Sequence, residues 1–229
     1  MPISPSIRHQ ESGNVLFMIL VAIVLTGLLT VALQNTSQTG NENIDRETMM
    51  IRASEIRQHL SEIENAIQYI FQNNLVSESD LRFAHPDAPA DYGTITDTPE
   101  QQIFNRQGGA ATYRLPPSGV NDGSNWEFYG GTAMPGVGSD RADLVAVLPN
   151  VTQEFCEFLN EQLGYTAQPQ DPGTCVNEGA SGRFDAGTQF SASPNVPDDA
   201  TFSITPALKA CIECTADGSY HYVQVIMSR

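Results

Sequence analysis

Four cysteines, Cys156, Cys175, Cys211 and Cys214, are the residues best suited to chemistry in this chain. Thiols close disulfides, bind soft metals or relay redox equivalents, and spacing is the first guide to which. Cys211 and Cys214 stand as C-x-x-C, the spacing of a redox centre or of half a zinc site. A redox pair wants a helix N-terminus to lower a thiol pKa, whereas a strand and turn follow here. Zinc wants a second ligand pair, and Cys156 and Cys175 lack that spacing. Disulfides are therefore expected for all four. Of three connectivities, the favoured one joins Cys156 to Cys175, stapling a helix to a Gly/Pro-rich loop. It also joins Cys211 to Cys214, closing a tight turn.

Little else reads as a reaction centre. The chain has no G-x-S-x-G, no H-E-x-x-H and no phosphate-binding glycine loop; Gly136 and Gly138 open no helix. His9 lies near the start, His59 is expected in solvent, His85 precedes Pro86, and His221 is placed on a strand. No two of these pair as ligands or as a catalytic dyad. No enzyme, cofactor or resident metal is expected. The net charge of −16 excludes nucleic acid as a natural partner, because phosphate binding needs an excess of Lys and Arg. Calcium would use Asp198, Asp199 and the acids of residues 171–178, but no EF-hand spacing is present.

The elements that position these residues begin with an apolar run at residues 14–33, free of ionisable side chains. As a helix it rises about 30 Å, the thickness of a bilayer's hydrocarbon core. Residues 14–34 are therefore expected to span a membrane. A cleaved secretory signal fits less well: the small-x-small site, Thr30 to Ala32, falls inside the run. A polar joint follows at residues 35–43. Then Met49, Ala53, Ile56, Leu60, Ile63, Ile67 and Ile70 keep heptad phase, which predicts an amphipathic helix up to residue 74.

Beyond it, residues 75–229 form one β-rich globular region. Strands are expected at residues 112–115, 125–129, 143–148, 201–204 and 220–227. Asp217-Gly218 supplies the turn before the last of them. One helix interrupts the strands, from an N-cap at Thr152 to Leu163, with Gly164 terminating it.

Ser12-Gly13, followed by Asn14, Val15, Leu16, Phe17 and Met18, resembles the prepilin leader of type IV pilins and type II secretion pseudopilins. The resemblance implies a leader at residues 1–13, cut by a prepilin peptidase between Gly13 and Asn14, with methylation of the new N-terminus. It implies a pilin-like α+β fold, in which a long N-terminal helix packs on an antiparallel β-sheet. It further implies insertion in the bacterial inner membrane by a single pass, with the C-terminal region outside. The partners would be other pilin-like subunits or copies of itself, joined through the apolar helix in a pilus or secretion pseudopilus. Two positions depart from the family pattern: Met18 stands where a Glu is usual, and Asn14 where an aromatic or Met is usual. That points to a minor or tip-located subunit. The alternative is an uncleaved, single-pass, membrane-anchored periplasmic binding or sensor module.

Overall fold

The structure, a computed structural model, describes residues 12–74 and 76–229, with side-chain surroundings for 17–25, 45–74 and 76–229. The chain divides into two compact units, Met1–Thr48 and Met49–Arg229. Helix α1 (Ser12–Asn74) contributes to both. Most of the expected leader lies outside the described residues. Within the apolar run only 17–25 have described side chains, and Phe17, Met18, Ile19, Leu20, Ile23, Val24 and Leu25 are all exposed. Among the described residues, no helix is long and apolar enough to cross a membrane.

In the second unit the α1 stripe is buried from Ala53 through Ile56, Leu60, Ile63 and Ile67 to Ile70. Each fully buried Ile or Leu contributes about 1.5–3 kcal/mol, which explains why this segment orders well beyond its intrinsic propensity. The stripe is wider than the heptad count suggests. His59 and Ala66 are buried as well, since 56, 59, 63, 66 and 70 form a second ladder at helical spacing. His59 is thus not in solvent: it is 2 % exposed and packs against Trp126 and Tyr113.

Five strands form one sheet in the order β1-β2-β5-β4-β3. They are β1 (Glu127–Thr132), β2 (Asp143–Leu148), β3 (Gln170–Asp171), β4 (Lys209–Cys214) and β5 (Ser219–Met227). One sheet face carries Phe128, Leu144, Ala146, Leu148, Cys211, Tyr222 and Ile226, packed with the α1 stripe and with α2 (Gln153–Leu163). The opposite face carries Tyr129, Val145, Val147, Ala210, Ile212, Cys214, Val223 and Val225. Irregular chain covers that side with Met134, Val176 and Phe202. Every residue of β2 is buried, so it reads as a continuous apolar run rather than an alternating one.

The expected fold class is corrected. The sheet is mixed, not antiparallel, because β3 pairs parallel with β4 through Gln170↔Glu213 and Asp171↔Cys214. A parallel pair needs a long crossover, and residues 172–208 supply it. Nor does a long N-terminal helix pack on the sheet: α1 up to Thr48 belongs to the other unit, and among the described side chains those from Met49 on join this core. Two expected strands are absent. Residues 112–115 run beside α1 instead, where Thr112 N–H donates to Glu62 Oε1 at 2.7 Å and Arg114 pairs with Glu62 at 3.2 Å. Residues 201–204 follow a 3-10 turn, Asp199–Thr201, capped by the Asp198 carboxylate.

Helix α2 forms where the sequence places it. The Thr152 hydroxyl accepts from Phe155 N–H, and Gly164, at φ 90°, ends the helix in the left-handed region. The β4–β5 hairpin turns at Asp217-Gly218, with Gly218 at φ 75° and its N–H on Cys214 O at 2.8 Å.

Candidate functional site

The cysteines follow from strand parity. Cys211 and Cys214 both lie on β4, three residues apart, so their side chains leave opposite faces of the sheet. A Cys211–Cys214 bond cannot form across a strand. Cys211 faces α2 and is bonded to Cys156, with a Cα–Cα distance of 5.3 Å. Cys214 faces the other way, towards Cys175, and both are buried free thiols. The expected Cys156–Cys175 and Cys211–Cys214 pairing is therefore corrected to Cys156–Cys211. The strand that enforces this was read as a turn.

The same edge of β4 is closed by an amide. Asn160 on α2 accepts from Cys211 N–H at 2.9 Å through Oδ1 and donates to Cys211 O at 2.8 Å through Nδ2. Gln168 Nε2 adds a second bond to that carbonyl at 2.9 Å. One side chain thus stands in for a neighbouring strand at the point where β3 is too short to reach.

On the opposite face, Cys175, Cys214 and His221 converge. One ligand atom from each lies within 4.8 Å of the other two, and all three residues are buried. The hairpin register creates half of this. Cys214 pairs with Ser219 and Ile212 with His221, so Cys214 and His221 are diagonal neighbours on one face. Cys175 arrives from β3, whose Asp171 pairs with Cys214, and its own φ of 72° marks the sharp turn that brings it back.

The electrostatics of the cluster are those of a protonated Cys175 thiol beside a neutral imidazole. Burial, then a hydrogen bond with Cys214, pushes the Cys175 thiol well above its ordinary range. Burial lowers His221 to about 4, against the opposing pull of Asp217, Asp171 and Asp122. His221 Nδ1 receives Asn150 N–H at 3.2 Å. Ser219 Oγ donates to Asp217 Oδ1 at 2.6 Å, so it accepts its 2.7 Å contact from His221 Nε2–H. Two sulfurs and an imidazole are soft donors, the set that thiophilic d-block cations prefer.

His59 and Glu178 are also perturbed. His59 sits at about 4, driven first by burial and then by the Arg114 charge, with Glu62 opposing. Neither of its ring nitrogens meets a partner among the described residues. Glu178 is raised to about 7 by burial, although Gly131 N–H donates to its Oε1 at 3.0 Å. A Cβ at Gly131 would push the Glu178 carboxylate out of this position.

The remaining residues singled out in the sequence do not assemble. Gly13 and Asn14 lie in the α1 backbone, and their side-chain surroundings are outside the described residues. The acids considered for calcium form no ligand group among the described residues. Asp171 is committed to Gly173 N–H and Asn195, and Asp198 to Ala200 N–H. His85 stacks on Tyr113 at 4.5 Å, far in role from any ligand set. His221 was within reach of sequence reasoning: once β4 is recognised, the Asp-Gly turn fixes the register and parity puts His221 beside Cys214. Comparison of the chain with protein-family models, with curated proteins and with solved structures gives no match in any of the three.

Proposed function

We propose that the chain is a structural subunit of the pilin or pseudopilin kind, cut after Gly13 and assembled with like subunits through its apolar N-terminal segment. One observation carries this reading. The segment of α1 at residues 17–25 exposes Phe17, Met18, Ile19, Leu20, Ile23, Val24 and Leu25 together, a greasy surface that water does not tolerate unpartnered. A helix apolar on all sides belongs in lipid or between other helices. Before assembly the segment is held in the inner membrane; afterwards neighbouring copies replace the lipid. The Cys156–Cys211 disulfide supports an oxidising compartment for the second unit.

The absence of a Glu at Met18 favours a role in priming or capping over one in the body of a fibre. In the family this reading draws on, that carboxylate pairs with a neighbour's N-terminal amine, since a buried charge needs a partner. The same position is the observation in favour of the second reading, an uncleaved, membrane-anchored periplasmic binding or sensor module.

Mass spectrometry of the protein purified from membranes separates the two. Processing gives a chain beginning at Asn14, and a Gly13→Ala change leaves the leader attached. A wild-type chain that keeps residues 1–13 and crosslinks to no pilin-like partner overturns the proposal.

A further inference from the structure

We propose that Cys175, Cys214 and His221 bind one thiophilic metal ion of the Zn²⁺ class, on the face of the sheet away from α2. The structure treats its two cysteine pairs differently: Cys156 and Cys211 are bonded, whereas Cys175 and Cys214 remain thiols with an imidazole beside them. This inference stands independently of the assembly reading.

Distances favour it. In a tetrahedral site with Zn–S bonds of about 2.3 Å, neighbouring sulfurs stand about 3.8 Å apart. The ligand atoms already lie within 4.8 Å of one another, so closing the site takes side-chain adjustment of about 1 Å rather than a change of fold. The frame is held by backbone pairing: Cys214 and His221 by the β4–β5 register, and the approach of Cys175 by the Asp171↔Cys214 pair. One tautomer of His221 suits a ligand: Nδ1 exchanges its Asn150 N–H contact for the ion, while Nε2–H keeps Ser219 Oγ, with Asp217 behind it.

Charge favours it too. Two buried thiolates could not stand alone, but with a dication they form a neutral unit. Binding exchanges the ion for the two thiol protons, which leave to solvent, and no sulfur is oxidised or reduced. Asp171 and Asp217 set a negative field around the site, which attracts a cation. All three ligand residues are buried, which keeps bulk water from the site.

The test uses the full-length protein, extracted in detergent without reductant or chelator, and Zn²⁺ or Co²⁺ as probes. The expected result is about one ion retained per chain after dialysis, with sulfur-to-Co²⁺ charge-transfer absorption in the wild type. The band disappears, and retention with it, in Cys214→Ser and in His221→Gln. The wild-type spectrum decides the matter even if a variant fails to fold. Retention of no ion, or a Co²⁺ spectrum without a thiolate band, overturns the proposal. So does a peptide map of the cell-derived protein in which Cys175 is disulfide-linked to Cys214.

Discussion

Removing the Cys156–Cys211 bond by a paired Cys156→Ala/Cys211→Ala change tests the cysteine assignment directly. The bond closes a segment with a sequence separation of 55. In the chain-entropy account, a loop of that length restricts the unfolded ensemble by about 14 cal/mol/K, or about 4 kcal/mol at 25 °C. That is a large part of a typical stability of about 5–15 kcal/mol. The native state should survive, because Asn160 and Gln168 still hold the Cys211 backbone to α2. Equilibrium urea unfolding of wild type and double variant, followed by circular dichroism, measures the difference. A loss of about 3–5 kcal/mol is expected, with a steeper slope because the unlinked unfolded chain exposes more surface. A loss below about 1 kcal/mol, or a peptide map linking Cys156 to Cys175, would refute the pairing and the strand-parity argument beneath it.

Ile63→Ala, in the centre of the α1 stripe and fully buried, should cost about 2–5 kcal/mol by the same measurement, since its neighbours on the sheet cannot follow the lost side chain inward. His59 titrates at about 4 in the folded chain against 6.5 when unfolded, with Arg114 and Glu62 as its charged neighbours among the described residues. The depressed folded value means that stability is intact above pH 6.5 and is lost as pH falls towards 4, by about 3 kcal/mol. His59→Phe, which keeps a ring against Trp126, should flatten that part of a pH–stability profile. Glu178 acts with the opposite sign. Its folded value of about 7 lies above the ordinary 4.5, so its contribution is full below pH 4.5 and lost as pH rises through 7. Glu178→Gln should abolish that decline, and melting temperatures recorded across pH 4–8 would show it.

The parts legible in the sequence are those whose signals are local. Thr152 and Gly164 frame α2 without reference to anything distant, and β5 announces itself by alternation after an Asp-Gly turn. The stripe from Met49 to Ile70 needed only periodicity. What was illegible depended on partners far along the chain. Residues 209–214 carry two cysteines, a lysine and a glutamate, which break the continuous apolar run that burial on both faces would otherwise show. Two-residue β3 is too short for any period, yet it makes the sheet mixed. Residues 112–115 have strand-like composition, but Glu62 takes the Thr112 N–H that a neighbouring strand would have used. His59 was misplaced because an ionisable side chain was assumed to seek water; the ladder it shares with Ile56 and Ile63 outweighed that preference.

The opposed directions of Cys211 and Cys214 have a consequence for biogenesis. In a newly made, unstructured chain under oxidising conditions, these neighbours are each other's nearest reaction partners, and a small ring between them would close first. Once the hairpin zips, that ring cannot coexist with it, and exchange with the thiol of Cys156 releases the error. Geometry thus proofreads oxidation, and a cell lacking an isomerase should accumulate the mispaired form as a transient that matures slowly rather than as a dead end.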